Sequence, residues 1–418
     1  MKCVALTLVL IFVCSFAMAQ METATISGRI TDPQGAVIVD ATVIATNLET
    51  NATVERRTNS SGIYVISNLP PGAYRVIVRY SGFKEIVRNQ LVLHVQDDIA
   101  QNFAMEIGSE QQSVMVSGGA PLVDTESAAV GTVVDRNFVD NMPLNGRSFQ
   151  TLIQLTPGVV TTQTQFAAPG QFSVNGQRGE SNYFTVDGVS ANISSSAGSS
   201  SLEYGAGAFP GLSASGGTNS LVSVDALQEF RIQTSTFAPE FGRTPGAQVS
   251  ILTRSGGNQF HGSAYEYFRN DALDAMDWIT KSKNQSKPAL RQNDFGGTFS
   301  GPIKRNKLFF FLSYEGLRLR LPKTLSRTVP GIATRANAVA AMQPFLNSFP
   351  TPTGPDTPDG LAPVTRTFSD PSTLNATSLR LDYNVSSRWR LFGRYNYAPS
   401  TSDTRGTENT AVNNVWAF

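Results

Sequence analysis

The stretch SLRLDYNVSSRWRLFGRYNY, Ser378 to Tyr397, alternates apolar and polar residues on both sides of a Ser-Ser pair. A period of two indicates a β-strand, because successive side chains of a strand point to opposite faces. The break at Ser386 and Ser387 predicts two strands of one antiparallel hairpin. Its apolar face carries Leu379, Leu381, Tyr383, Val385, Trp389, Leu391, Tyr395 and Tyr397. Its polar face carries Arg380, Asp382, Asn384, Arg390 and Arg394.

Two environments suit such a hairpin. In a soluble sandwich the polar face meets solvent, whereas in a membrane barrel the polar face lines a wet lumen and the apolar face meets lipid. The alternation alone fits both, and a soluble sandwich is the commoner case. In the barrel interpretation the eight apolar side chains are predicted to face lipid and the five polar side chains to face the lumen.

The lengths of the connections favour the barrel. Candidate strands at 259–270, 291–303, 307–319 and the two halves of the hairpin are separated by long, short, long and short connections. Transmembrane barrels alternate tight turns on one side with large loops on the other. Trp389 lies beside a short turn and Tyr395 and Tyr397 at the opposite end, as aromatic girdles at two interfaces require. Residues 259–418 are therefore predicted to form an incomplete transmembrane antiparallel β-barrel.

The composition of the 418 residues limits the classes of function. The net charge is +1 and no Lys/Arg run occurs, so nucleic acid is not expected as a partner. The two histidines, His94 and His261, are far apart, and no HExxH or GxSxG motif occurs. The stretch Gly205 to Gly211 misses GxGxxG by one position. No cofactor, metal site or enzymatic activity is predicted.

The first residues have the pattern of a secretory signal peptide. Lys2 precedes an apolar run that ends at Ala17-Met18-Ala19, which predicts a signal peptide over 1–19. A transmembrane helix is the alternative, but the run is shorter than the ~20 residues a span needs. Both cysteines, Cys3 and Cys14, lie in this segment, so no disulfide or thiolate site is expected beyond it.

Residues 22–108 show short alternating strands separated by turn sequences such as Asp32-Pro33-Gln34-Gly35 and Pro70-Pro71-Gly72. This pattern predicts a small β-sandwich. The blocks from Gly28 to Gly35 and from Asn59 to Tyr74 resemble the carboxypeptidase regulatory-like domain, which implies a transthyretin-like sandwich with a carbohydrate-binding-like fold. Asn59 stands where that family usually has Asp. The resemblance implies an accessory domain rather than a catalytic one.

Beyond this domain, residues 109–135 are predicted to form a linker region, and residues 113–258 are predicted to form a mixed α/β region. Phe149, Leu152 and Ile153 have helical spacing and precede Pro157-Gly158, which predicts one short helix. Asn175-Gly176 and Asp187-Gly188 are turn dipeptides, and the second predicts a β-hairpin. The Ser/Gly-rich residues 191–220 are interpreted as a mobile loop.

The blocks LNGRSFQTLIQLTPGV, NGQRGESNYFTVDGV and VDALQEFRIQTSTFAPEFG, with the strands that follow them, resemble the Oar-like TonB-dependent receptors of the Gram-negative outer membrane. The resemblance implies that 113–258 form a plug domain inside a barrel of about 22 strands. The predicted strands are too few to close such a barrel, which indicates the N-terminal part of a receptor. It also implies a periplasmic N-terminal domain, contact with outer-membrane lipid, and a glycan or peptide as ligand.

Receptors of this kind are opened by a TonB-type energy-coupling protein that pairs with a short segment before the plug, the TonB box. Here the coupling segment is predicted as Ser113, Val114, Met115, Val116 and Ser117, which are uncharged and β-prone and suit β-augmentation. A linker or a first plug strand is the alternative. Two interpretations are open for plug arginines such as Arg178 and Arg243: they pair with lumen carboxylates such as Asp382, or they are turn and surface residues.

A second function from another class is an exported carbohydrate-binding or adhesive protein. Such a protein would use the β-sandwich at 22–108 and would not transport a solute.

Overall fold

The structure is a computed structural model of the chain. It describes residues 22–108, 113–116, 129–142, 150–161, 172–178, 181–191, 222–237, 245–276, 278–282, 287, 289–386, 389–405 and 413–417. The predicted signal peptide, Ser117, Phe149, Arg243, Gly205 to Gly211 and nearly all of the loop at 191–220 lie outside the described residues. No helix in the described ranges combines the length and apolar character needed to cross a membrane.

The N-terminal sandwich consists of two packed sheets. Its strands are β1 (Ala24–Thr31), β2 (Thr42–Asn47), β3 (Thr53–Arg57), β4 (Ile63–Leu69), β5 (Gly72–Arg79), β6 (Glu85–Leu93), β7 (Asp98–Ala100), β8 (Phe103–Ala104) and β9 (Ser113–Val116). One sheet has the order β4-β1-β7 with β8 also on β1, and the other has the order β3-β2-β5-β6-β9. Alternate residues such as Tyr74, Val76 and Val78 are buried between the sheets, as the period of two predicts. The predicted β-sandwich is confirmed.

The turns of the N-terminal sandwich are stabilised by short polar side chains. The Asp32 carboxylate accepts the backbone N–H groups of Gln34 (2.9 Å) and Ala36 (2.8 Å). The Asn59 side-chain oxygen likewise accepts those of Ser61 (2.9 Å) and Ile63 (3.0 Å). Asn59 therefore closes its turn through a neutral carbonyl oxygen, which explains why an amide suffices at this position.

The region predicted as the plug, called the plug domain below, is a mixed sheet with short helices. Its strands are β10 (Val130–Val134), β11 (Val159–Thr161), β12 (Phe172–Val174), β13 (Tyr183–Val186), β14 (Val189–Ser190), β15 (Leu227–Ser235) and β16 (Gln248–Thr253). Its helices are α1 (Arg136–Asn141), α2 (Gln150–Ile153) and the 3-10 turn Val224–Ala226. The plug sheet has the order β10-β15-β16-β13-β14, in which β13 and β16 are parallel, and β11 pairs with β12.

Two local predictions are confirmed in the plug. Leu152 and Ile153 lie in α2 and are buried in the plug core. Asp187 and Gly188 form the two-residue turn of the β13–β14 hairpin. Their φ angles of 52° and 81° are the left-handed backbone that this type of turn needs at both positions. Helix α1 is not among the predicted elements, although its N-cap Asp135 accepts the N–H of Phe138 at 2.9 Å.

Within the described residues, the barrel wall is an antiparallel sheet of seven strands. They are β17 (His261–Asn270), β18 (Arg291–Lys304), β19 (Leu308–Pro330), β20 (Leu361–Asn384), β21 (Arg390–Tyr397), β22 (Ser400–Arg405) and β23 (Asn413–Ala417). Its loops contain the 3-10 turn Asp271–Leu273, α3 (Trp278–Ser282), α4 (Ile332–Asn337) and α5 (Gln343–Asn347). The order is β17-β18-β19-β20-β22-β23, with β21 also on β20, so the wall does not close within the described strands.

The opening hairpin is confirmed, since β20 and β21 pair from Thr377↔Tyr397 to Asn384↔Arg390. Two predicted strand bounds are wrong. The strand predicted at 307–319 continues to Pro330 as β19, and the first strand of the hairpin, predicted from Ser378, already begins at Leu361 as β20. Beyond Arg320, β19 and β20 are the only described strands that pair, and they form a two-stranded ribbon. Each strand of a ribbon has one edge without a ladder partner, so a proline whose nitrogen faces that edge costs no ladder hydrogen bond.

Candidate functional site

A buried charge cluster joins the barrel wall to the plug sheet. Arg380 on β20 reaches the turn between β13 and β14, where its Nη1 donates to Asp187 Oδ1 at 2.8 Å. The same nitrogen donates to Thr253 O (3.1 Å) and Thr253 Oγ1 (2.9 Å) at the end of β16. Arg380 and Asp187 are 8% and 5% exposed, so their attraction is weakly screened by solvent.

Further groups complete the cluster. Asp382 accepts from Arg380 Nε (3.0 Å) and Nη2 (2.9 Å), and Arg394 Nε lies 3.6 Å from Asp187 Oδ2. Thr253 donates its N–H (2.9 Å) and its hydroxyl to Asp187. Two arginines and two aspartates therefore balance in charge, and each buried ion has several partners, as burial requires.

The charges of this contact lie on the opposite sides from those predicted. Plug arginines were expected to pair with Asp382, but the plug supplies the carboxylate of Asp187 and the wall supplies the arginines. Arg178 is exposed on the plug, and Asp382 pairs with Arg380 of its own strand. For Arg178 the predicted pairing is wrong, because the spacing of charges along the chain does not show which elements meet; Arg243 lies outside the described residues.

The other predicted lumen residues lie nearer the short turns. Arg390 Nη2 donates to Asn68 O of the N-terminal sandwich at 3.1 Å. The N–H of Asn384 donates to Lys307 O at 2.7 Å, across the base of the neighbouring turn. Both residues line a small pocket between the wall and the N-terminal sandwich. Of the five polar residues, Arg380 and Arg394 contact the plug, Asp382 pairs with Arg380, and Asn384 and Arg390 lie beside the N-terminal sandwich.

The two faces of the wall have different surroundings. The eight apolar residues of the hairpin are 38% to 68% exposed on the face away from the plug. On the opposite face Phe309 and Phe311 of β19 are 1% exposed, and Phe311 belongs to the plug core. Leu312 and Phe310 stand opposite Leu379 and Leu381, so the exposed apolar face continues onto β19. That lipid covers this face stays a prediction, for which a broad exposed apolar surface is the physical support.

The N-terminal sandwich lies at the end of the wall that has the short turns. Asn51 Nδ2 donates to Asn306 Oδ1 (3.1 Å) in the turn between β18 and β19. Nearby, the N–H of Asn258 donates to Glu49 O at 2.9 Å. The long connections at 271–290 and 331–360 join the opposite ends of their strands. The sandwich and the short turns therefore share one side of the wall.

The predicted coupling segment forms an edge strand of the N-terminal sandwich. Its described residues, β9, pair in parallel with β6 from Glu85↔Ser113 to Arg88↔Val116. The first strand of the plug sheet in the described chain is β10. The segment thus adopts the extended backbone that strand addition needs, but on the N-terminal sandwich rather than in the plug sheet where the predicted plug boundary put it.

Comparisons with known proteins identify two domain families within the chain. Residues 25–106 match the carboxypeptidase regulatory-like domain, and residues 252–342 match the outer membrane beta barrel domain. The chain is 29% identical over 308 residues to the TonB-dependent transporter Oar of Myxococcus xanthus, covering 70% of this chain and 26% of that protein. The chain thus spans about a quarter of the curated relative's length.

Two outer-membrane proteins of solved structure align with part of the chain. The outer membrane transporter YddB from Escherichia coli aligns with 66% of this chain and 34% of its own, at 13% identity and a TM-score of 0.42. The siderophore receptor PirA from Acinetobacter baumannii aligns with 68% and 33%, at 15% identity and a TM-score of 0.40.

The family matches locate the protein in the outer membrane of a Gram-negative cell. The chain is a homologue of the TonB-dependent transporter Oar that joins a carboxypeptidase regulatory-like domain to a segment of an outer membrane beta barrel domain.

Proposed function

We propose that this chain carries the periplasmic domain, the plug and part of the barrel wall of an outer-membrane receptor that admits a solute when its plug is displaced. The proposed partner is a TonB-type energy-coupling protein, and the proposed ligand class is a glycan or a peptide. The curated relative is named a transporter, which supports a transport role rather than a catalytic one.

The contact between Asp187 and Arg380 carries the proposal. A plug must be held firmly in a barrel at rest and must leave without breaking the barrel. A polar contact suits both needs, because ions and hydroxyls that separate from each other are rehydrated when water enters the lumen. The plug turn at Asp187 therefore has a defined seat on β20 that can be released reversibly.

The coupling segment supplies the proposed point of attachment. A strand recruits a partner through backbone hydrogen bonds, so the partner needs no particular side chains. β9 lies on the N-terminal sandwich, and the sandwich lies at the short-turn side of the wall, which in such barrels is the periplasmic side. The segment is thus on the side from which an inner-membrane protein reaches it.

Fractionation and binding test the proposal together. The protein should be recovered from detergent-extracted outer membrane, and the purified protein should retain the periplasmic domain of the coupling protein from the same cell. Recovery in soluble periplasm, without binding of that domain, would support the exported glycan-binding alternative and refute the receptor.

A further inference from the structure

The loop that follows β6, residues 94–97, binds the plug sheet. His94 Nδ1 lies 2.8 Å from Glu229 Oε2 on β15, and the backbone N–H of Val95 donates to the other oxygen of that carboxylate. Arg231, also on β15, donates to Gln96 O at 2.9 Å and pairs with the Asp97 carboxylate. Residues 94–97 therefore bind two charged side chains of one plug strand.

Two further contacts extend the grip to neighbouring strands. Gln96 Nε2 donates to Ser250 Oγ on β16 at 2.8 Å. The hydroxyl of Thr185 on β13 donates to the carboxyl group of Glu22, which precedes β1 and is 7% exposed. The N-terminal sandwich thus touches β13, β15 and β16, which are adjacent in the plug sheet.

The charges of this contact are complementary. The N-terminal sandwich presents His94 and Asp97, and the plug presents Glu229 and Arg231 in the matching order. The side chains of Arg231 and Asp97 are each 13% exposed and that of Glu229 is 5% exposed. Ion pairs at this depth are costly to break, because each charge left behind stays partly buried without its partner.

We propose that the N-terminal sandwich locks the plug, and that residues 94–97 must leave Glu229 and Arg231 before the plug sheet can move. This inference rests on the proposed function, since it assumes that the plug is displaced in transport. In addition to its role as a binding domain, the N-terminal sandwich then holds the plug in place in the resting receptor.

The position of the coupling segment gives the lock a release. β9 pairs with β6, and residue 94 directly follows the last residue of β6, Leu93. A pull on β9 is transmitted to β6 through the hydrogen bonds between the two strands. It is then transmitted to residues 94–97, which directly follow β6. The pairing of β9 with β6 therefore gives the force a route to the lock.

A buried cysteine reports whether the lock is open. Ser250 is 3% exposed beneath Gln96, and the only native cysteines, Cys3 and Cys14, lie in the predicted signal peptide. In the purified protein carrying Ser250→Cys, a fluorescent maleimide should react slowly. Adding Arg231→Asp places two carboxylates together and should accelerate labelling by roughly tenfold or more. The milder Arg231→Gln should give a smaller acceleration, which guards against a folding defect.

The charge-swapped pair Asp97→Arg with Arg231→Asp should restore slow labelling to within about twofold of the Ser250→Cys parent, since opposite charges again meet. Equal labelling of the parent and the Arg231→Asp variant overturns the lock. Labelling of the swapped pair as fast as that of Arg231→Asp alone also overturns it.

Energised cells test the release. Labelling of Ser250→Cys should be faster in respiring cells than in cells treated with a protonophore. If the rate does not change while the coupling protein still binds, the lock is wrong and the proposed function stands. If the coupling protein does not bind at all, the proposed function itself fails.

Discussion

Arg380 of the barrel wall and Asp187 of the plug turn are joined at 2.8 Å, although they are separated by 193 residues along the chain. Arg380 lies on the polar face of the same strand whose opposite face exposes Leu379 and Leu381. One strand therefore holds the plug on one side and presents a hydrocarbon surface on the other. The proposed receptor depends on these two faces of β20.

Asp187→Asn should weaken the seat of the plug. The amide keeps one acceptor oxygen but removes the charge that faces Arg380 and Arg394, and a buried pair that loses one charge costs about 3 kcal/mol. Urea unfolding of the protein in detergent micelles should show a midpoint shifted to lower urea. Glu266→Gln, which removes an exposed carboxylate from β17, is the matched control and should leave the midpoint unchanged. Equal midpoints for the two variants would show that the cluster does not hold the plug.

Val114→Pro should abolish binding of the coupling protein. Proline removes a backbone donor and restricts the strand, and β-augmentation depends on backbone hydrogen bonds. Val114→Ala keeps the N–H and should bind like the wild type. Retention of the coupling protein's periplasmic domain on the purified variants measures both. Unchanged retention by the proline variant, with normal expression, would exclude Ser113–Val116 as the attachment strand.

Gly28→Ala should destabilise the N-terminal sandwich. A Cβ at Gly28 would lie 2.0 Å from the backbone oxygen of Gln101, so β1 and the chain beside it would have to separate, at a cost of about 3 kcal/mol. Hydrogen exchange of the β1 amides should accelerate strongly. Gly393→Ala on β21 meets no atom within 4 Å and should have no effect. Slow exchange in both variants would mean that β1 tolerates a side chain there.

The contact between the N-terminal sandwich and the plug should weaken as the pH rises. Burial raises the pKa of Glu22 to about 8, and its hydrogen bond to Thr185 only partly offsets this. The hydrogen bond to Glu229 raises the pKa of His94, although burial alone would lower it. The negative charges of Asp97 and Asp135 also raise this pKa. Both groups bind protons more tightly in the folded state, so their stabilisation is complete at low pH and is lost as the pH rises.

Hydrogen exchange of residues 94–97, expressed relative to the intrinsic base-catalysed exchange rate at each pH, should therefore accelerate between pH 5 and pH 9, in parallel with the loss of the Glu22 proton near pH 8. Glu22→Gln keeps a neutral side chain at every pH and should remove most of this acceleration. An acceleration as large in Glu22→Gln as in the wild type would show that Glu22 does not control the contact.

Local patterns in the sequence were sufficient for the hairpin of β20 and β21 and for the turn at Asp187-Gly188. Both depend on side-chain alternation or on left-handed backbone, which neighbouring residues determine. The helix at Arg136–Asn141 was missed although Asp135 is a typical N-cap residue, because the helix is short and buries only Val139.

The ribbon beyond Arg320 was missed because prolines usually argue against a strand, and only the pairing of β19 with β20 shows that the free edges tolerate them. The partners of Asp187, Glu229 and Arg231 had no local signal, since each contact joins residues far apart in the chain. The pairing of β9 with β6 is likewise a tertiary choice of edge, which the β-propensity of Ser113 to Val116 does not specify.

The orientation of β20 in a bilayer is the most direct test of the membrane wall. Single nitroxide labels at Leu381 and at Arg380, in protein reconstituted into lipid vesicles, are compared for collision with oxygen and with a water-soluble nickel complex. We expect the label at Leu381 to collide with oxygen and to be shielded from nickel, while the label at Arg380 is shielded from both. Free access of nickel to Leu381 would contradict the membrane wall and the receptor built on it.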